Sequence, residues 1–177
     1  SIIVGRDIVF NGSRFTNANG TAPQAGVDLE TNNYGVDGLI ENITFNDCQF
    51  VGSNGWQVQV TDNDNPKNIR FNGGVMTSNR GLVSGANTGG ILVANDSTIL
   101  DGVSFKDFTA NSGYAVRSHS TPQAMPRIIN CKFINLDGGT IQSASSSMGC
   151  VVTGCKFVNA GVTFFSGANH LIQDCQF

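Results

Sequence analysis

Ile43-Thr44-Phe45-Asn46-Asp47-Cys48-Gln49-Phe50 reads as a short strand, a bend and a second short strand. Side chains alternate faces along a strand, so Ile43 and Phe45 share one face while Thr44 and Asn46 share the other. Asp47 is one of the few residue types that tolerate a left-handed backbone, and beyond it Cys48 and Phe50 share a face again. The octet therefore has an apolar side that turns a corner.

Similar octets return along the chain: IVFNGSRF from Ile8, IRFNGGVM from Ile69, VSFKDFTA from Val103, PRIINCKF from Pro126, CVVTGCKF from Cys150 and HLIQDCQF from His170. Their starts are 35, 26, 34, 23, 24 and 20 residues apart, a period that marks a solenoid. The third position carries Phe10, Phe45, Phe71, Phe105, Ile128, Val152 and Ile172, which face a core. The fifth carries Gly12, Asp47, Gly73, Asp107, Asn130, Gly154 and Asp174, all suited to a bend. The sixth holds Ser13, Cys48, Gly74, Phe108, Cys131, Cys155 and Cys175, and the eighth Phe15, Phe50, Met76, Ala110, Phe133, Phe157 and Phe177. Like residues recurring at one position fit coils stacked at a strand spacing of ~4.8 Å, with Cys on Cys and Phe on Phe.

A second alternating strand follows in most repeats, led by Gly26, Gly55, Gly90, Gly113, Gly139 or Gly161. The expected fold is all-β: a right-handed parallel β-helix solenoid of about seven coils, one domain over residues 1–177, cut from a longer chain. Residues 17–25, 62–67, 77–89 and 118–125 read as loops, and insertions on a solenoid collect on its working face.

Composition agrees. The chain has 22 Gly, 20 Asn and 11 Asp against 4 Lys and 2 Glu, so turn formers abound and helix-surface residues are scarce. A net charge of −3 from scattered single charges argues against nucleic acid as a partner. No apolar run approaches the ~18 residues that argue for a membrane span, so no membrane insertion is expected, and the first six residues are too short for a signal peptide. Of the five cysteines, four share the sixth position and Cys150 the first, which makes them small core residues rather than a disulfide framework or a metal site. Free core thiols fit synthesis in a reducing cytoplasm.

The octet I-x-F-x-[DNG]-C-x-F followed by a Gly-led strand, in an Asn- and Gly-rich chain, resembles the pectate-lyase-like right-handed β-helix superfamily. Gly26-Val27-Asp28-Leu29-Glu30-Thr31-Asn32, leading into the octet from Ile43, is similar to a stretch in bacteriophage tailspikes and neck appendages of that superfamily. The resemblance implies a homotrimeric virion protein, assembled with other tail proteins, whose β-helix binds and often cleaves bacterial surface polysaccharide such as capsule or O-antigen. It implies no cofactor. A non-catalytic rod or receptor-binding module and a secreted pectate-lyase-like enzyme remain alternatives, because one solenoid serves many functions. The D-P-H triplet of the epimerase members does not occur here, nor does a recognisable pectate-lyase calcium site.

Aligning the second strands on their leading glycines gives two outward columns. One holds Asp28, Gln57, Leu92, Ala115, Thr140 and Thr163; the other holds Glu30, Gln59, Ala94, Arg117, Gln142 and Phe165. Asp28 and Glu30, two apart, are the candidate catalytic pair, a spacing suited to acid and base work on a glycosidic bond in a hydrolase. Gln57 and Gln59 are candidate substrate-binding residues, as are Arg117 and His119, which could neutralise a uronate and take a proton in a lyase. The plain alternative is that Asp28 and Glu30, and likewise Arg117 and His119, are solvated surface residues. Asp62 and Asp64 lack the Gly and distal Glu of an EF-hand loop and read as an Asx-rich turn; no metal is expected. Trp56 is expected to be buried, Phe165 exposed, and His170 a hydrogen-bonded core histidine.

Overall fold

Every strand pairing among the described residues of the computed structural model is parallel. Those residues are 5–18, 25–30, 39–60, 66–78, 89–93, 97–108, 113–118, 126–137, 139–142, 149–161 and 170–177. The first sheet contains β1 (Gly5–Asn11), β4 (Ile40–Asn46), β7 (Pro66–Asn72), β10 (Thr98–Asp101), β13 (Arg127–Ile129), β16 (Val151–Thr153) and β18 (Leu171–Gln173). The second contains β2 (Arg14–Thr16), β5 (Gln49–Val51), β8 (Val75–Thr77), β11 (Ser104–Lys106), β14 (Lys132–Leu136) and β17 (Lys156–Ala160). The third contains β3 (Val27–Leu29), β6 (Trp56–Val60), β9 (Gly89–Val93), β12 (Tyr114–Ser118) and β15 (Gly139–Gln142). The chain visits the three sheets in turn, so the protein is a three-sided parallel β-solenoid.

The corner between the first two sheets is made by backbone chirality. Gly12, Asp47, Gly73, Gly102, Asn130, Gly154 and Asp174 all have φ between 51° and 70°, the region that only Gly and short Asx side chains visit readily. Here the fourth repeat departs from the sequence alignment. Strand β10 pairs Thr98 with Ile69 and Leu100 with Phe71, so the fourth octet runs from Thr98 to Phe105, five residues earlier than the copy read from Val103. Phe105 is an eighth-position residue, Val103 takes the sixth position, and Asp107 lies at the next corner.

That next corner, after the second sheet, is also left-handed: Asn17, Gly52, Asp107, Asn135 and Asn159 have φ between 49° and 74°. Asx side chains at both corners, and at Asp7, Asn42 and Asn68 within the first sheet, link coil to coil. Asn42 donates to Asp7 and Asn68 to Asn42, both at 2.7 Å; Asn46 donates to Asn11 and Asn72 to Asn46, both at 2.9 Å. Asn135 donates to Asp107 and Asn159 to Asn135, both at 3.2 Å. The abundance of Asn is thus a consequence of stacking: an amide is both donor and acceptor and can repeat along a ladder.

Inside, Phe10, Phe45 and Phe71 stack with centroids 4.8–4.9 Å apart, and Phe105, Phe133, Phe157 and Phe177 at 4.9–5.1 Å. These distances match the ~4.8 Å separation of neighbouring strands, so the backbone ladder sets the ring spacing. The sixth-position thiols of Cys48, Cys131, Cys155 and Cys175 each donate to the carbonyl of the third-position residue one coil back, namely Phe10, Leu100, Ile128 and Val152. All five cysteines are free.

Candidate functional site

The third sheet carries the residues singled out above. Val27 pairs with Val58, Asp28 with Gln59 and Leu29 with Val60; Gln59 then pairs with Leu92, Leu92 with Arg117 and Arg117 with Gln142. Val27, Leu29, Val58, Val60, Ile91, Val93, Val116 and Ile141 belong to the core, so alternation puts Asp28, Gln59, Leu92, Arg117 and Gln142 on the outer face in one column. The spacing between neighbours is ~4.8 Å, and Asp28 and Arg117, three rungs apart, are separated by roughly 14 Å along the stack.

This corrects the two columns drawn from the sequence. Their alignment assumed that the leading glycines were equivalent, and they are not. Gly89 and Gly139 stand opposite Trp56 and Tyr114, and a Cβ on either glycine would run into the facing ring. Gly26 and Gly90 occupy the next position, in line with Gln57. Gly55 and Gly113 come one residue before Trp56 and Tyr114, so alignment on Gly26, Gly55, Gly90, Gly113 and Gly139 slipped Gln57, Ala115 and Thr140 out of register with Asp28 and Leu92.

Gln57, although two residues from Gln59 in β6, is not a surface residue. It is 1% exposed, its Oε1 accepts the Ser53 backbone N–H at 3.2 Å and its Nε2 donates to the Ser53 carbonyl at 3.5 Å. The amide closes the turn that leads into β6. Ala115 and Thr140, its counterparts in later coils, are also buried. Asp28 faces outward yet is only 2% exposed, while Glu30, Gln59, Arg117 and Gln142 are half-buried. In the outer column Asp28 and Leu92 are thus shielded, while Gln59, Arg117 and Gln142 are partly open.

Arg117 adds a second feature. Its guanidinium carbon lies 5.9 Å from the centre of the Tyr114 ring, a cation–π arrangement that holds the cation on the outer face. Tyr114 was not singled out from the sequence; a Tyr stacked between Gly89 and Gly139 was the signal available. Trp56 is 2% exposed, as expected for a buried ring. His170 accepts the Cys150 backbone N–H through Nδ1 at 3.1 Å, so it is the hydrogen-bonded histidine anticipated, though half-buried. His119, Phe165, Asp62, Asp64, Ala94, Ala110 and Thr163 lie outside the described residues. Among the described residues no cluster of three or more His, Cys, Asp or Glu side chains could hold a metal ion.

Burial pushes the Cys150 thiol up to about 12 and raises Cys131 well above its ordinary value. Cys155, between Cys131 and Cys175 in the stack, is lowered, chiefly by the Cys131 thiol that hydrogen-bonds to it. These thiols face the core rather than the outer column.

Comparisons with protein-family models, with curated proteins and with solved structures found no match. The fold assignment rests on the strand pairing itself.

Proposed function

We propose that this chain is the β-helix of a bacteriophage tailspike or appendage, and that the outer column of its third sheet binds bacterial surface polysaccharide. The observation that carries the reading is the in-register column Asp28, Gln59, Leu92, Arg117 and Gln142. Side chains repeating every ~4.8 Å along one face suit a polymer lying along the stack, with the half-buried amides of Gln59 and Gln142 and the guanidinium of Arg117 to meet its hydroxyls. Homotrimer formation, virion location and contact with other tail proteins follow from the resemblance of the Gly26 to Glu30 stretch. Asp28 and Glu30 are the pair proposed for acid and base work.

The second reading is a rod or receptor-binding module without catalysis. The burial of Asp28 at 2% favours it, because a catalytic carboxylate has to reach the glycosidic oxygen or the attacking water. Incubation with capsulated cells or purified surface glycan, read by new reducing ends and by unsaturated-uronate absorbance, separates the readings. Reducing ends alone mean hydrolysis, both signals mean elimination, and binding with neither signal means a non-catalytic module. Catalysis that survives Asp28→Asn with Glu30→Gln sinks the assignment of those two residues.

A further inference from the structure

Whereas the outer face of the first sheet mixes Arg6, Lys67, Arg70 and Arg127 with Glu41 and Asp101, that of the second sheet carries basic side chains and no acidic ones. Its outward positions are Arg14 and Thr16 on β2, Gln49 and Val51 on β5, Val75 and Thr77 on β8, Ser104 and Lys106 on β11, Lys132 and Ile134 on β14, and Lys156 and Val158 on β17. No Asp or Glu occurs among them, although the chain has 13 acidic residues against 10 basic ones. Three of the chain's four lysines lie on three successive strands of this face.

The lysines are also placed unfavourably for a protein alone. Lys132 pairs in register with Lys156, which sets two ammonium-bearing side chains on neighbouring strands ~4.8 Å apart, and like charges directly opposite are destabilising. Lys106 stands diagonal to Lys132, about 7–8 Å away by strand geometry. Lys106, Lys132 and Lys156 form no ion pair among the described residues. Of the aspartates bordering the face, Asp47, Asp107 and Asp174 sit at the left-handed corners, Asp101 ends β10 and Asp137 follows β14; Asp107 is engaged by the Asn135 amide and Asp101 by the Asn130 amide.

We propose that this face is a second binding surface, and that its partner is an acidic polysaccharide lying along the stack over Lys106, Lys132 and Lys156. Repeated anionic groups would relieve the repulsion between the lysines. The outward positions carry no Phe, Tyr or Trp, so the face lacks the aromatic platforms on which single-stranded nucleic acid bases stack. They carry instead Thr16, Thr77, Ser104 and Gln49, whose hydroxyl and amide groups suit sugar hydroxyls. The proposal shares with the preceding one the reading that the partner is a polysaccharide, but it rests on a different sheet and names the charge of the polymer.

The test is a titration of the chain with long oligogalacturonates, with the same oligomers after carboxyl reduction, and with oligothymidylate. Expected are salt-sensitive binding of the acidic oligomer, at least a tenfold loss in Lys132→Ala with Lys156→Ala, and retention in the Lys→Arg pair. Asp28→Asn with Gln59→Ala should leave this binding unchanged. Lys132 and Lys156 are exposed and Gln59 is half-buried, whereas Asp28 is buried, so Gln59→Ala alone serves as a second control, and an unchanged melting temperature verifies folding in each variant. No binding of the acidic oligomer, equal binding of the reduced one, or indifference to the lysine substitutions overturns the proposal. Equal or tighter binding of oligothymidylate overturns the choice of polymer. Surface-glycan binding lost in the Asp28 and Gln59 variant but not in the lysine variant leaves the third-sheet reading standing and this one fallen; the converse result does the reverse.

Discussion

The Phe105 and Phe133 rings lie parallel, 5.1 Å apart with planes 6° from one another, and Phe133 stacks in the same way on Phe157 at 4.9 Å. Phe133 therefore has an aromatic neighbour on both sides and no solvent exposure. Phe133→Ala removes a fully buried ring and two stacking contacts, and should cost about 3–5 kcal/mol in urea unfolding. Phe10, half-buried with one coil-to-coil stacking partner in Phe45, should cost clearly less on the same substitution. Equal losses at the two positions would mean that stacking along the column does not hold the coils together.

The asparagine ladders have a direction. Each amide donates to the coil before it, and Asp7, Asp101 and Asp107, which can only accept when ionised, stand at the N-terminal start of their ladders. Asn42→Asp removes the donor to Asp7 and sets two carboxylates on adjacent rungs. The loss should be about 1 kcal/mol at pH 7. Protonating one carboxylate of the pair removes the like-charge repulsion and restores a donor. The penalty should therefore shrink as the pH is lowered towards 3, and a penalty independent of pH would refute the ladder account.

Much of this architecture was legible in the octets. Ile43 and Phe45 inside, Asp47 at the bend and Cys48 and Phe50 inside again are as the alternation requires. The fourth repeat was misplaced because Val103-Ser104-Phe105-Lys106-Asp107 mimics the motif so closely: Asp107 really is left-handed, but at the second corner. Thr98 in a core position broke the apolar pattern that would have marked the true copy. The site was less legible than the fold. Alignment on glycines failed because Gly26 and Gly90 lie in line with Gln57, Gly139 with Tyr114, and Gly55 and Gly113 one residue earlier still, whereas Val27, Val58, Ile91, Val116 and Ile141 would have given the register. The near-complete burial of Asp28 has no signature in a strand pattern, since alternation shows which face a residue takes and not what shields it.

The core thiols make stability depend on alkaline pH. Cys150 has its folded pKa raised to about 12, against an ordinary value near 9. Its contribution is fully present below pH 9 and is lost as the pH rises from 9 towards 12, because the unfolded chain releases the proton first. The slope is about 1.4 kcal/mol per pH unit for each such thiol. Cys131, also raised, adds to it. Replacing Cys150 by Ala should flatten the stability profile between pH 9 and 11, even if it lowers stability at pH 7. A profile equally steep in the variant would show that other groups cause the alkaline loss.

Gln57 and Gln59, two residues apart in β6, should separate structure from binding. Gln57→Leu leaves the Ser53 N–H and carbonyl without the amide that satisfies them, in a position with 1% exposure, and should cost about 1–3 kcal/mol by chemical denaturation. Gln59→Ala, on the half-buried outer column beside Asp28, should change stability by less than about 1 kcal/mol. If the outer column meets a glycan, the effect on binding is reversed in order: Gln59→Ala weakens binding of the surface polysaccharide, while Gln57→Leu, once folded, binds nearly as the parent does. A Gln57 variant that folds normally and loses binding would return that residue to the site, and would show that the turn it closes is dispensable.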